Sequence, residues 1–231
     1  MVTSHLPLFF VQGTMRLAAP EATCLLALAD LSEHDKPVFA DQLVRCLHIE
    51  PEQLLQTLQH LFTRQLVTAE ERGRLVLTAN GYLLARHLII RHRLLERFLL
   101  DVVGVPWIFV HREAARLAPV VSPLFLERVI ELTRHATVCP HGNPIPGRSV
   151  LATTEVCLTN APMGQRCCLT RVAEWVGYET HLLQRLWSHE LLPGRSFVRV
   201  PDPFQRYVIV VDQRVLVLGP RIASALFVVV E

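Results

Sequence analysis

The sequence lacks the signatures of membrane-spanning and disulfide-rich proteins. Its six cysteines include no C-x-x-C pair. No apolar run reaches the roughly 20 residues that a membrane-spanning helix needs, since Gly219, Pro220 and Arg221 interrupt the apolar stretch 215–230. The opening MVTSHLPLFFVQG has no basic segment of the kind that starts a signal peptide. We therefore expect a cytoplasmic protein with no membrane partner, whose cysteines are reduced thiols.

Common enzyme signatures are missing too. The sequence contains no glycine-rich phosphate loop, no H-E-x-x-H and no G-x-S-x-G. We therefore expect that the protein is not an enzyme. With 51% hydrophobic and 19% charged residues among 231, the chain can bury a sizeable core and is not globally disordered.

Positive charge is scarce in the first third of the chain. Residues 1–80 carry six Lys or Arg and nine Asp or Glu, a net charge of −3, whereas residues 81–150 carry nine and five, a net charge of +4. A DNA-binding module normally presents a basic surface. A DNA-binding function for the N-terminal part would therefore rest on few phosphate contacts.

The N-terminal part nevertheless has the element order of a helix-turn-helix. Leucines at helical spacing predict helices over 15–31, 39–47 and 51–65, the last with Pro51 in its first turn. Short apolar runs on either side of a charged turn at Gly73 then predict a two-stranded hairpin. Helix, helix-turn-helix and hairpin in this order are typical of a winged helix-turn-helix.

A histidine- and arginine-rich stretch follows, over residues 91–147. His92 and Glu96 are four apart and so share one helix face. His111 follows a break at Gly104 and Pro106, which allows its helix to turn back towards that face. Two imidazoles and one carboxylate can bind a divalent transition metal. The alternative is a surface pair or a hydrogen bond within the core.

The last third is rich in short β-runs. CCLTRV, SFVRV, YVIVV, RVLVL and LFVVV are separated by turn signals such as Pro193-Gly194 and Gly219-Pro220. Many short strands within about 70 residues are typical of a small barrel. The stretch before them, 148–160, has little periodicity and is interpreted as a linker.

Three segments, RHRLLERFLLDVVG, VHREA and HGNPIPG, resemble the dimerisation and metal-binding region of the diphtheria toxin repressor (DtxR) family. ELLPGRSFVRV and VLVLGPRIASALFVV resemble the FeoA-type SH3-like domain of its longer members. The resemblance implies an α+β fold with four parts. They are a winged-helix DNA-binding domain at 14–80, a helical dimerisation and metal-binding domain at 81–147, a linker at 148–160 and a small SH3-like β-barrel at 161–231.

The resemblance also implies a metal site. His92, Glu96 and His111 match the ligands of the family's ancillary site, and Glu179 or the neighbouring His181 would complete it. The ligand types suit Fe, Mn, Zn, Co or Ni and do not select one of them.

The family's primary, activating site is predicted to be lost. The positions that match its ligands hold side chains without strong metal donors: Thr23, Ala115, Ala118 and Pro119. Alanine and proline cannot coordinate a metal. The usual switch that fixes the DNA-binding domain would then be absent.

The helix 51–65 would be the recognition helix in the major groove. Side chains expected to contact bases or phosphates are Gln53, Gln56, Gln59, Arg64, Arg72 and Arg74. Glu50 and Glu52 stand at the start of that helix, where they would oppose phosphate oxygens.

The resemblance implies a homodimeric, metal-dependent regulator that binds double-stranded operator DNA and controls iron or manganese homeostasis. The dimer is expected to form through residues 81–147, around Leu94, Phe98, Phe125 and Val129. The alternative is a divergent dimer with weak or lost DNA binding that acts through protein partners or metal binding.

Overall fold

The computed structural model describes residues 17–33, 37–149, 152, 154–204 and 206–231. The start of the first predicted domain, at residue 14, lies outside these residues. The N-terminal elements are helices α1 Ala19–Leu31, α2 Ala40–Leu47 and α3 Pro51–Thr63, followed by strands β1 Val67–Ala69 and β2 Leu75–Leu77.

Helix α3 is positioned by its leucine stripe. Leu54, Leu58 and Leu61 are buried in one hydrophobic cluster with Leu25 and Leu28 of α1. The opposite face of α3 is exposed. The antiparallel hairpin β1–β2 follows α3. The predicted winged helix-turn-helix arrangement is confirmed.

The central helices are α4 Ala79–Phe98, α5 Val110–Leu117 and α6 Pro123–Leu132. The Thr78 hydroxyl caps α4 by accepting a hydrogen bond from the Gly81 amide at 3.1 Å. After one π-helical turn at Leu99–Val103, the chain leaves the helix at Gly104, whose φ is +81°. This positive φ favours glycine and lets α5 fold back against α4.

Two residues expected at a dimer surface lie in the interior of the protomer instead. Leu94 and Val129 are buried in the cluster formed by α4, α5 and α6, so that part of the prediction is wrong. Phe98 packs partly against this cluster, and Phe125 stacks edge-on against Phe98 with ring centres 5.7 Å apart. Phe125 is 40% exposed.

The C-terminal part is a six-stranded antiparallel sheet with strand order β3-β8-β4-β5-β6-β7. Its elements are β3 Val156–Cys157, β4 Arg166–Val172, α7 Thr180–Ser188, β5 Ser196–Val200, β6 Tyr207–Val211, β7 Arg214–Leu218, α8 Pro220–Ala223 and β8 Leu226–Val230. The sheet agrees with the predicted SH3-like fold. Because β3 pairs with β8, the sheet begins within the segment interpreted as a linker.

In the part of the chain that the structure describes, no helix is both long enough and apolar enough to cross a membrane.

Candidate metal centre

Helices α4 and α5 bring three predicted ligands together in the interior. The Glu96 Oε1 atom lies 3.2 Å from His92 Nε2 and 3.1 Å from His111 Nδ1. The two imidazole nitrogens are 3.1 Å apart. All three side chains are almost completely buried. The shared helix face of α4 and the fold-back after Gly104 therefore produce the arrangement expected from their spacing.

A fourth donor, Glu174, comes from the 3-10 turn Glu174–Tyr178 between β4 and α7. Its Oε2 atom lies 3.7 Å from His111 Nδ1. Its Oε1 atom accepts a 2.6 Å hydrogen bond from Arg93 Nε, which fixes the carboxylate beside α4. Potential ligand atoms of His92, Glu96, His111 and Glu174 all lie within 4.8 Å of one another.

The spacing of these atoms fits a metal-binding group. Ligands at about 2.0–2.1 Å from an ion are separated by roughly 2.9–3.4 Å in octahedral or tetrahedral geometry. The separations of 3.1 and 3.2 Å around Glu96 lie in that range, and the 3.7 Å separation to Glu174 is close to it. Among the described residues, Glu96 Oε2 and Glu174 Oε2 are buried without a hydrogen-bond partner. An ion held among these residues would satisfy such oxygens.

Burial, neighbouring charges and hydrogen bonds shift the pKa values of Glu96, His92 and His111. Burial favours a raised pKa for Glu96, but the charges of His92 and His141 and the hydrogen bonds from His111 and His141 hold it well below the ordinary value. Burial lowers the pKa of His92. Burial would also lower the pKa of His111, but the hydrogen bond and charge of Glu96 outweigh it and raise that pKa. A metal must therefore compete with a proton on His111.

Two predicted ligands lie elsewhere. Glu179 forms an ion pair with Arg221, and the His181 side chain, beside Glu179, is 74% exposed. The tight turn 174–178 directs Glu174 into the interior and leaves Glu179 at the start of α7. Among the described residues, the carboxylate that lies with His92, Glu96 and His111 is Glu174, and the group includes neither Glu179 nor His181.

The sequence reasoning also missed Cys139 and His141. Their potential ligand atoms lie within 4.8 Å of each other and of one Glu96 oxygen. His141 Nδ1 is 3.1 Å from Glu96 Oε1. A cysteine and a histidine two residues apart in the CPHG stretch were a signal in the sequence, but an irregular turn gives no periodicity from which to infer their direction.

The positions that the resemblance matches to the family's primary site belong to neither group of metal-donor side chains found among the described residues. Ala115 and Ala118 are buried among apolar side chains. The Thr23 hydroxyl donates to the Ala19 carbonyl within α1 at 2.9 Å. Within the described ranges, neither of the two donor groups that can hold a metal includes any of these positions.

The predicted DNA contacts fall into two sets. Gln53, Gln56 and Gln59 are exposed on α3, as a reading surface requires. Arg64 has a different partner: its guanidinium lies 2.5 Å from the buried carboxylate of Glu21.

The wing arginines differ from Arg64. Arg72 is exposed in the turn between the two strands. Arg74 lies 3.6 Å from Glu70 and is partly exposed. Arg64 and Arg74 therefore each have an acidic neighbour, and among the described residues none is recorded for the exposed Arg72.

Comparison with known proteins gives a consistent result. Residues 78–147 match the family described as iron dependent repressor, metal binding and dimerisation domain. The iron-dependent repressor IdeR of Mycobacterium leprae is 28% identical over 198 residues, which cover 81% of this chain and 86% of that protein. The diphtheria toxin repressor of Corynebacterium jeikeium is 32% identical over 123 residues, about half of each protein. The solved structure of the manganese regulator SloR has a TM-score of 0.80 and 25% identity, and it covers 93% of this chain and 100% of that one.

Proposed function

Because the chain belongs to the diphtheria toxin repressor family of metal-dependent repressors, we propose that it is a homodimeric transcriptional regulator. It binds a divalent transition metal through His92, Glu96, His111 and Glu174, and it binds operator DNA through α3. It retains the ancillary-type metal site and lacks the primary one.

The observation that carries the proposal is the convergence of four buried donors on one point between α4, α5 and the turn 174–178. Neutral imidazoles and carboxylates suit first-row divalent metals. Relatives named an iron-dependent repressor and a manganese regulator favour iron or manganese as the metal. Bound metal would supply positive charge between Glu96 and Glu174 and draw the three elements together.

The turn 174–178 connects this site to the DNA-binding part. Gly177 lies against the His111 ring, where an added Cβ would come within 2.3 Å of ring atoms. Tyr178 packs edge-on against the same ring, and its hydroxyl donates a 2.8 Å hydrogen bond to Asp30 of α1. Since α1 packs on α3, holding Glu174 and His111 in place also holds the recognition helix. This route would replace the missing primary site.

Dimerisation is supported by apolar side chains that the protomer leaves uncovered on α4, α6 and the neighbouring loops. They are Tyr82, Leu83, Val102, Val103, Val120, Leu124, Phe125 and Leu132. Large apolar side chains that a single chain leaves exposed are commonly buried in a protein interface. All eight lie within residues 78–147, the region whose family description names dimerisation.

The second candidate function is a dimer with weak DNA binding that acts through metal or protein partners. It is favoured by the ion pair of Arg64 with Glu21 and by exposed Glu50 and Glu52 at the start of α3. Few phosphate contacts give low affinity and a shallow salt dependence.

Elemental analysis tests the metal site. Wild-type protein loaded with Mn²⁺ and desalted should retain metal that a His92→Ala/His111→Ala variant loses. A His181→Ala variant removes an exposed imidazole outside the group and should bind as the wild type does. Equal metal in the wild type and the double variant refutes the site.

A separate assay tests DNA binding. Selection from a random duplex pool with Mn²⁺ present should enrich a common sequence that the double variant fails to enrich. Binding without any sequence enrichment supports the second candidate. Replacing Glu50 and Glu52 by glutamine should strengthen non-specific binding, and unchanged binding would mean that these carboxylates do not face DNA.

A further inference from the structure

Three ring side chains, those of Trp187, Trp107 and His141, form a column from the surface to the candidate metal centre. Trp187 of α7 is 50% exposed, and its ring stacks on that of Trp107 with centres 6.3 Å apart. The Trp107 ring centre lies 4.6 Å from that of His141, whose Nδ1 atom is 3.1 Å from Glu96 Oε1. We propose that Trp187 and Trp107 form a gate through which the metal ion enters and leaves the centre. This inference rests on the proposed metal binding.

The four donors are closed off from solvent. The side chains of His92, Glu96, His111 and Glu174 belong to residues that are each at most 3% exposed. An ion cannot reach them unless a covering side chain moves. Metal exchange therefore requires a transient local opening, and its rate depends on the free energy of that opening.

The wall beside His111 is held by backbone and by a buried hydrogen bond. Gly177 lies so close to the His111 ring that an added Cβ would be 2.3 Å from ring atoms. Tyr178 packs edge-on against the same ring with centres 4.6 Å apart, and its hydroxyl donates to Asp30 at 2.8 Å. Opening the centre on this side would move the backbone of the turn 174–178 and separate it from α1.

The turn that carries His141 is also fixed. The His141 carbonyl accepts a 2.8 Å hydrogen bond from the Val172 amide of β4, and Asn143 Nδ2 donates to the Val172 carbonyl at 2.8 Å. Gly142 has a φ of +87°, and a Cβ there would lie 2.0 Å from the Thr170 carbonyl oxygen. Because β4 holds the His141 backbone in place, movement of the column has to start at the tryptophans.

The two tryptophans are held by contacts that a local movement can break. Among the described residues, the Trp187 indole makes no hydrogen bond and is held by its stacking on Trp107. The Trp107 Nε1 atom donates one 3.0 Å hydrogen bond to the Pro140 carbonyl. Trp107 lies three residues after Gly104, whose φ is +81° and which has open space around it. Displacing Trp187 uncovers Trp107, and breaking one hydrogen bond then lets Trp107 tilt away from His141.

A gate changes the rates of metal exchange without changing the affinity. The stack of Trp187 on Trp107 contains no metal donor of the proposed group, so it is equally strong in the metal-free and metal-bound centre. A contact that is equally strong in two states does not shift the equilibrium between them. Removing Trp187 should therefore make entry and release faster by the same factor, about two- to tenfold for the loss of one aromatic pair.

Stopped-flow fluorescence with Co²⁺ tests this proposal. Bound Co²⁺ quenches the fluorescence of Trp107, and excess EDTA restores it as the ion leaves. Trp187→Ala should accelerate both steps, with a Kd within about twofold of the wild-type value. Trp187→Phe keeps a stacking ring and should return both rates towards those of the wild type. Phe204→Ala removes a 75% exposed ring from the loop before β6 and should exchange Co²⁺ as the wild type does.

Trp107→Phe is a second variant that decides the matter if Trp187→Ala fails to fold. It keeps an apolar ring and removes the hydrogen bond to Pro140, so it should also raise both rates. Circular dichroism verifies that each variant is folded.

The possible outcomes separate the gate from the metal site. Unchanged rates in folded Trp187→Ala that still binds Co²⁺ would overturn the gate and leave the proposed function intact. Faster release with unchanged entry would also overturn it, because Trp187 would then stabilise the bound state. Faster exchange in Tyr178→Phe but not in Trp187→Ala would place the route beside His111. No Co²⁺ binding by the wild type would overturn both the gate and the proposed function.

Discussion

Arg171 on β4 connects three parts of the chain, and its replacement should destabilise the whole arrangement. The side chain is 1% exposed. Its Nε lies 2.8 Å from Glu155, and its Nη1 lies 2.6 Å from Glu33 just after α1. Nη1 also donates to Asn143 at 3.2 Å, and the guanidinium stacks 3.6 Å from the centre of the Phe227 ring. The N-terminal module, the 139–143 turn and the sheet all bond to this one cation.

The expected loss of unfolding free energy follows from the burial of the carboxylate that pairs with Arg171. Arg171→Met keeps the length of the side chain but leaves the Glu155 carboxylate, only 6% exposed, without the cation that balances it. Removing one partner of a buried ion pair costs about 3–5 kcal/mol. Arg166, on the same strand, pairs with Glu231 at side-chain exposures of 69% and 39%. Arg166→Met should cost about 0–1 kcal/mol, since exposed pairs contribute little.

Urea unfolding followed by tryptophan fluorescence measures the difference. All three tryptophans report on the C-terminal core, because Trp107 and Trp175 contact it and Trp187 stacks on Trp107. With a denaturant dependence of about 1–3 kcal/mol per molar, the Arg171→Met midpoint should fall by about 1 M or more. A shift no larger than that of Arg166→Met would refute the reasoning.

Three further predictions concern the site and the dimer. Glu96 raises the pKa of His111, so Mn²⁺ affinity should start to fall, as the pH is lowered, at a pH above the ordinary histidine value of about 6.5. Calorimetry in two buffers measures the proton that binding releases. A Mn²⁺ affinity that is constant from about pH 8 to 6 contradicts this prediction. Gly177→Ala would push a Cβ to 2.3 Å from His111 and should lower Mn²⁺ affinity about tenfold or more, whereas Gly219→Ala, with open space around it, should not. Leu124→Glu, at an exposed apolar position of α6, should dissociate the dimer in sedimentation, whereas Val215→Glu on β7 should leave it intact.

Local signals predicted much of the fold and three of the four donors that lie together in the interior, namely His92, Glu96 and His111. Helical leucine spacing and Pro51 located α3, and the hairpin followed from apolar runs around Gly73. His92 and Glu96 were identifiable because a helix places residues four apart on one face. The spacing of His92 and Glu96 and the end of the helix near Gly104 could both be predicted from the local sequence alone.

The remaining residues depend on contacts between distant segments. Glu174 is directed inward by a 3-10 turn and held by Arg93, 81 residues earlier in the chain. Arg64 pairs with Glu21, 43 residues away, so a phosphate that Arg64 contacts would have to compete with this carboxylate. Charge counts and spacing do not contain such pairings, because they depend on how distant segments pack.

The buried donors also explain why the stability of this protein should depend on metal. Glu96, Glu174 and His141 each have at least one buried atom without a hydrogen-bond partner in the described residues. Buried charges with incomplete partners destabilise a fold, and apolar side chains of similar volume often stabilise it by comparison. The donors therefore make the metal-free protein less stable than an apolar core would. A ligand at 100 times its dissociation constant stabilises the folded state by about 2.7 kcal/mol. Because Glu174 belongs to the turn that bonds to α1 through Tyr178 and Asp30, the metal supply would control both the stability of the centre and the placement of the DNA-binding part.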